Sequence, residues 1–298
     1  MKTGRMNGQV KVLAFGEVLF DVFGTDEKIG GAPFNFAAHM SRQGADVELM
    51  TAIGRDERGE RVLQYMAQYG VQGSLLARVD EPTGICQVCL DDKGVPTYDL
   101  VKPAAWDNIP WTLPGQERVA SSKYDLLYFG SLSQRESVSA ETLEKLRKTV
   151  SCQWILFDCN IRQPFVTRES VENGLSSCTH LKVSREEAPA LAAMGLTPVY
   201  SDEDRQTWCR MIADKFGIKQ VLLTLDKDGA AVYVADEGLY LEQAGERVKV
   251  ISTVGAGDSF AAGYMASQLR CESVAQSLHK AIILSSQVVQ SAGIFPDE

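Results

Sequence analysis

Short apolar runs alternating with amphipathic stretches along most of the 298 residues leave few folds open to this chain. VKVLAFGEVLF (10 to 20) reads as a buried strand, FNFAAHMSRQG (34 to 44) has helical spacing and stops at Gly44, and DVELMTAIG (46 to 54) reads as another strand. RDERGERVLQYMAQYG (55 to 70) is helical again, with Val62, Tyr65, Met66 and Tyr69 on one face. YDLLYFG (124 to 130), QWILFD (153 to 158), HLKVS (180 to 184) and KQVLLTL (219 to 225) continue the series. Strands of this kind between helices predict an α/β architecture, a mostly parallel sheet covered on both faces. The rhythm fails at PTGICQVCLDDKGVPTYDLVKPAAWDNI (82 to 109), where two alternating strands flank the turn DDKG with no helix between them. An edge hairpin of the main sheet and a small β lid over a site both account for it.

No repeat, low-complexity segment or long linker interrupts the chain, so residues 1–298 read as one domain with that excursion. At 45% hydrophobic and 23% charged residues, the composition is that of an ordinary soluble globular protein. The net charge of −9 argues against general nucleic-acid binding, which needs a basic surface, so any phosphate ligand must be held by a local site. No apolar run reaches the roughly 18 residues that would span a membrane, and no signal-peptide pattern precedes KVLAFG; a cytoplasmic location is the default expectation. The seven cysteines are scattered. Their single C-x-x-C, Cys86 and Cys89, lacks a second ligand pair, and strand alternation sends the two side chains to opposite faces.

STVGAGDSF (252 to 260) carries the chemistry. Ala261, Met265 and Leu269 follow at helical spacing, so Gly255, Ala256 and Gly257 open a helix whose first N–H groups lack partners within it. Such an end favours a phosphate, and the small side chains let it come close. Asp258 lies in the first turn, where the helix dipole stabilises its anion and keeps it deprotonated at neutral pH. A base beside an anion hole suits phosphoryl transfer to a hydroxyl. A Gly-rich turn with an Asp favouring a helix start is the plainer reading. The dinucleotide fingerprint would need Gly or Ala at Phe260, and the P-loop would need G-K-[ST]; neither is met.

Over nearly its whole length the chain resembles the ribokinase-like (PfkB) carbohydrate kinases. GGAPFNFAAHMSRQGADVELMTAIGRDERGERV (30 to 62) resembles the first family signature, and STVGAGDSFAAGY the second. PTGICQVCLDDKG resembles the lid. DCNIR (158 to 162) is similar to a D-x-N-x-R segment of the fructokinase and ketodeoxygluconate kinase branches, and LKVSREE to a K-x-N-x-x-E segment. The resemblance implies a ribokinase-like fold with a β lid formed mainly by about 82–105 and part of about 18–30. It implies ATP as donor of the γ-phosphoryl group, Mg2+, and a monosaccharide whose primary hydroxyl accepts. Fructose is the first choice, because the lid run 96 to 109 resembles fructokinase lids; ketodeoxygluconate and ribose are alternatives. Lids of this family often pair across a dimer, so a homodimer through the lid is a further expectation.

Position by position, Asp258 would be the base and the amides of Gly255, Ala256 and Gly257 the anion hole. Asp21, from G-E-x-x-x-D, and Asn35 would hydrogen-bond sugar hydroxyls, and Gly30 and Gly31 would let the sugar lie against the backbone. Asn35 as a helix-start residue and Asp21 as a strand-end turn remain the plainer readings. Arg162 would reach a phosphate or substrate oxygen, unless it is a surface salt bridge. Ser184, Thr224, Gly229 and Thr253 would line the nucleotide site. Glu187 would hold Mg2+ through water, unless it is an exposed helix residue. Three departures stand out. Ser252 replaces the Asp that opens the second signature and speaks against the family's monovalent-cation site. Ser184 replaces an Asn, and Asp226 a Gly. They motivate a reading of another class, a catalytically weak sugar-binding regulatory protein that kept the fold. A nicotinamide-dependent oxidoreductase is disfavoured by the missing third Gly and the motif's place near the C-terminal end.

Overall fold

The apolar run from 10 to 20 is two strands. Gly16, at φ 136°, turns the chain, and β1 (Lys11–Phe15) and β2 (Leu19–Phe23) enter different sheets. The computed structural model describes residues 9–90, 96–291 and 293–295. After β2 come β3 (Asp26–Gly30), α1 (Ala32–Arg42), β4 (Asp46–Ile53), α2 (Glu57–Gln68), the short β5 (Val71–Gln72) and β6 (Leu76–Arg78), then β7 (Gly84–Leu90) and β8 (Pro96–Leu100). The second half runs α3 (Leu113–Ser121), β9 (Lys123–Gly130), α4 (Ser137–Thr149), β10 (Ser151–Asp158), α5 (Arg168–Leu175), β11 (His180–Ser184), α6 (Ala188–Ala193) and α7 (Arg205–Phe216). It closes with β12 (Gln220–Thr224), β13 (Ala230–Val234), β14 (Leu239–Gln243), α8 (Ala256–Leu269) and α9 (Val274–Val288).

The main sheet has the order β14-β13-β12-β11-β10-β9-β1-β4-β5, with β6 beside β4. All pairings from β12 to β5 are parallel, as the apolar runs predict. The far edge is an antiparallel hairpin, β13 and β14, which the strand–helix rhythm does not announce. The pleat divides the core: Val12 and Ala14 join the cluster on one face, Leu13 and Phe15 the cluster on the other. Helix α8 packs against α1 and α9. The stripe Ala261, Met265 and Leu269 understates it, because Phe260, Ala262, Gly263, Tyr264 and Ala266 are buried too. No helix among the described residues is long and apolar enough to cross a membrane.

The hairpin in 82–109 belongs to a separate sheet of order β3-β2-β7-β8, not to the edge of the main one. Its turn, 91–95, lies outside the described residues. Two ion-pair clusters fasten this small sheet to the body. Glu27 on β3 accepts from Arg58 at 2.6 Å and from Arg61, both on α2. Arg135 pairs with Asp107 at 2.7 Å and donates to the carbonyls of Leu100 and Val101 at the end of β8. Both Arg135 and Asp107 are almost wholly buried, so removing either would strand the other charge at a cost of about 3–5 kcal/mol.

Candidate active site

The site is built where α8 begins. Gly255 caps the helix at φ 78°, a left-handed conformation that Gly adopts without strain. Among the described residues the amides of Gly255, Gly257 and Asp258 have no hydrogen-bond partner. That of Ala256 donates to Thr253 O at 3.3 Å. Of the three amides read as an anion hole, two are therefore open and the third is weakly engaged. The positive end of α8 lies behind them.

Asp258 Oδ2 accepts from Asn35 Nδ2 at 2.8 Å, a contact between residues 223 apart in sequence. Asn35 lies in the first turn of α1 but makes no capping bond, since Gly31 is the cap. Its helix-start reading therefore falls. Burial raises the Asp258 carboxyl from 3.8 to about 6; the charge of Asp158 adds to this, while Lys182, Asn35 and Arg162 oppose it. The direction is opposite to the one the helix dipole alone implies, because desolvation outweighs the dipole. The group remains mostly ionised at pH 7, and a base with a pKa nearer the working pH accepts a proton more readily.

In front of Asp258 opens a cavity of about 330 Å3, with Glu17, Asp21, Asn35, Arg162 and Lys182 in its walls. Asp21 sits mid-strand, opposite Lys28 on β3 and Cys86 on β7, which removes its strand-end reading. Burial raises its carboxyl to about 6, against the Cys86 thiol and the charges of Arg162 and Lys28. The two glycines do less for a ligand than the sequence implies. A side chain at Gly30 would come within 2.6 Å of Asp21 Oδ2, and one at Gly31 within 2.6 Å of the Glu17 carbonyl oxygen. Both make room for the protein's own chain, and of the two only Gly31 lines the cavity. Arg162 makes no ion pair among the described residues and faces the cavity beside Asn160, so it is not a surface salt bridge.

The residues read as a nucleotide site do not gather so closely. Thr253 lines the cavity, whereas Ser184 and Thr224 are paired neighbours at the ends of β11 and β12 and stand outside it. A side chain at Gly229 would lie 2.1 Å from the Gln243 carbonyl oxygen, so this glycine is needed for the β13–β14 hairpin. Asp226 has φ 53°, which explains why a Gly suits the position and why Asp, tolerant of left-handed backbone, can replace it. Glu187 is half-buried rather than an exposed helix residue. Its Oε1 accepts from the Ile161 amide at 2.7 Å and its Oε2 from the Ser184 amide at 2.8 Å, tying together the loops after β10 and β11. No cluster of three or more His, Cys, Asp or Glu suited to a metal occurs among the described residues.

Sequence reasoning missed Glu17, Asp158 and Lys182. Glu17 is 1% exposed, its Oε2 has no hydrogen-bond partner among the described residues, and burial with the nearby charge of Asp258 raises its carboxyl to about 7. Its signal was the second letter of G-E-x-x-x-D. Asp158 and Lys182 stand first in DCNIR and in KVSREE, but an acid or lysine at a strand end gives no sign of its partner. Lys182 Nζ donates to Asp158 Oδ1 at 3.0 Å, and both are buried.

An acid set against open amides at a helix start, over a cavity walled by a second sheet, has the parts that phosphoryl transfer to a small-molecule hydroxyl needs, on an α/β fold. The chain belongs to the pfkB family of carbohydrate kinases, whose profile matches residues 3–296. A fructokinase of Rhizobium leguminosarum bv. trifolii is 29% identical over 276 residues, covering 86% of this chain and 79% of the relative. A 2-dehydro-3-deoxygluconokinase of Escherichia coli strain K12 is 27% identical over 311 residues, covering 97% of this chain and 98% of the relative. Among solved structures, a double-mutant fructokinase of Vibrio cholerae O395 bound to fructose, ADP and potassium ion superposes with a TM-score of 0.80 at 21% identity. The match covers 97% of this chain and 95% of that one, and it shows the common ribokinase-like fold.

Proposed function

We propose that this carbohydrate kinase transfers the γ-phosphoryl group of ATP to a primary hydroxyl of fructose, with residues 1–298 acting as one unit and the β2-β3-β7-β8 sheet as its lid. The observation that carries the reading is Asp258, ionised above about pH 6, oriented by Asn35 and set at the open amides of α8. Asp258 takes the hydroxyl proton as the acceptor oxygen attacks phosphorus, and the amides of Gly255 and Gly257 bind the charge that develops on the phosphoryl oxygens. Asp21, Asn35 and Glu17 offer acceptors to the remaining hydroxyls; Asn35 Oδ1 and Glu17 Oε2, which have no partner among the described residues, are ready for such donors. Ser184, Thr224 and Thr253 border the ATP site. A cavity walled by Glu17, Asp21 and Asp258 against Lys182 and Arg162, with Asp158 and Glu187 behind Lys182, is too acidic to take a triphosphate unaided, so its chemistry fits a hard divalent cation that arrives with the nucleotide. Mg2+, held through water by Glu187, would supply charge neutralisation on the phosphates.

Fructose as acceptor is supported by the fructokinase relative and by the resemblance of the lid. A second acceptor is favoured by Arg162, which faces the cavity and has no ion pair among the described residues: a keto-deoxy sugar acid such as 2-dehydro-3-deoxygluconate would place its carboxylate there. The test is ADP release, followed by a coupled assay, with ATP and Mg2+ across fructose, 2-dehydro-3-deoxygluconate, ribose and adenosine. Fructose is expected to give the highest kcat/KM. A preference for the sugar acid reassigns the acceptor to the Arg162 reading, and no turnover with any acceptor favours a regulatory sugar-binding role.

A further inference from the structure

The direction in which Arg162 enters the cavity is set by the backbone that carries it. Among the described residues the one hydrogen bond of its side chain runs to the carbonyl oxygen of its own neighbour, Ile161, at 3.4 Å. A long, rotamer-rich side chain with no firmer tether points where its loop points. That loop has a strained residue. Asn160 holds φ 35°, a left-handed conformation that costs free energy for any residue with a side chain and that Asn tolerates better than most. Such a residue persists where its surroundings over-determine it. Two side chains from other elements do so here. Strands β9 and β10 run parallel with Gly130 opposite Asp158, so Ser131 leaves its strand beside Cys159. Ser131 Oγ, wholly buried, donates to the Cys159 carbonyl oxygen, with the Asn160 carbonyl oxygen as a second acceptor at 3.4 Å. On the far side of Asn160, Glu187 Oε1 accepts from the Ile161 amide at 2.7 Å while its Oε2 holds the Ser184 amide at 2.8 Å.

We propose that Ser131 is a positioning residue for the acceptor: with Glu187 opposite, it clamps the loop after β10 in the left-handed turn at Asn160 and so presents Arg162 to the cavity. The inference rests on the kinase reading above, in which Arg162 meets an oxygen of the acceptor. Ser131 touches no ligand itself, since it is wholly buried and stands outside the cavity wall. Its hydroxyl suits the task because one proton serves two neighbouring carbonyl oxygens. Cys159 is wholly buried as well, so a carbonyl left without that hydroxyl has no water to turn to. Without the clamp the turn relaxes toward the backbone conformations that Asn prefers, and Arg162 swings with it. A guanidinium fork holds oxygen atoms well only over a narrow range of geometry, so a small rotation of its backbone weakens the contact.

The test compares Ser131→Ala, Arg162→Ala and the double variant Ser131→Ala/Arg162→Ala with the wild-type chain, using the better acceptor of fructose and 2-dehydro-3-deoxygluconate. Ser131→Ala is expected to raise KM for the acceptor by about three- to tenfold while kcat and KM for ATP stay within about twofold, the signature of a contact made alike in the ground and transition states. In the Arg162→Ala background the same substitution should change the acceptor KM by less than about twofold, because the side chain it positions is gone. Hydrogen exchange read residue by residue needs no turnover. In Ser131→Ala the Ile161 amide should exchange on the order of tenfold faster while amides in the middle of β9 and β10 keep their wild-type rates, which a general loss of stability would not allow. If Ser131→Ala fails to fold, Glu187→Gln loosens the turn from its other side and carries the same cycle with Arg162→Ala. Equal rises in acceptor KM with and without Arg162 would overturn the proposal, as would an Ile161 amide that exchanges as in the wild type. Failure of the kinase reading itself looks different: the wild-type chain would then release no ADP with either acceptor, and exchange at Ile161 would decide alone whether Ser131 holds the loop.

Discussion

Replacing Asp258 by Asn should abolish most activity and at the same time make the protein more stable. In the folded state burial and the nearby Asp158 raise this carboxyl from 3.8 to about 6, so ionising it at pH 8 opposes folding. A rise of that size corresponds to at most about 3 kcal/mol, at roughly 1.4 kcal/mol per factor of ten. Asp258 opens partly onto the cavity, where solvent recovers part of the loss, so about 1–2 kcal/mol is the working figure. Asn keeps the shape and can accept from Asn35 through its own carbonyl oxygen while removing the charge. For a chain of this size the gain raises Tm by about 2–4 °C at pH 8. Turnover should fall by roughly 100-fold or more with sugar affinity nearly intact, since the loss acts on the transition state. The assays are differential scanning calorimetry at pH 8 and pH 5, where the difference in Tm should shrink, together with steady-state kinetics. Wild-type kcat/KM should also decline as pH drops through about 6, where Asp258 takes up its proton. A less stable Asn variant, or one with turnover close to wild type, would refute the reasoning.

Asp21→Ala should chiefly raise KM for the sugar and leave KM for ATP little changed; a selective ATP defect would show that the cavity behind β2 is not the sugar site. Glu17, raised from 4.5 to about 7, binds its proton more tightly folded than unfolded, so its stabilisation is complete below 4.5 and is lost as pH rises through 7. Glu17→Gln should therefore flatten the dependence of Tm on pH between 5 and 8 and overtake the wild type at pH 8 by up to about 3 kcal/mol, and unchanged slopes would count against a buried, rising carboxyl. Ser252 uses its Oγ to accept from the Val254 amide, and the Val289 carbonyl beside it already accepts from the amides of Ile251 and Ser252. Turnover should be nearly independent of K+ when K+ is replaced by a bulky organic cation at constant ionic strength, because neutral, already engaged oxygens attract a hard cation weakly. Several-fold K+ activation of the wild-type enzyme would overturn that account.

What the sequence determined by itself was whatever depends on near neighbours along the chain. The periodicity of residues 34 to 70 predicts α1, β4 and α2 within a few residues, because a helix or strand buries one face according to spacing alone. STVGAGDSF predicts a helix start with open amides and an acid in its first turn, because both follow from local backbone geometry. The same local logic joined β1 to β2, since an apolar run does not reveal that Gly16 sends its two halves into different sheets. Only the tertiary structure decided the chemistry of the site. Asp258 has its proton affinity raised by burial and Asp158, and is oriented by an Asn 223 residues away. Lys182 meets the amide turn because β11 and the start of α8 converge, and no spacing in the sequence records that a side chain at Gly257 would come within 2.9 Å of its Nζ. Desolvation and charge act through space and scale with what surrounds a group, so the strength of a base and the reach of a cation are properties of the fold.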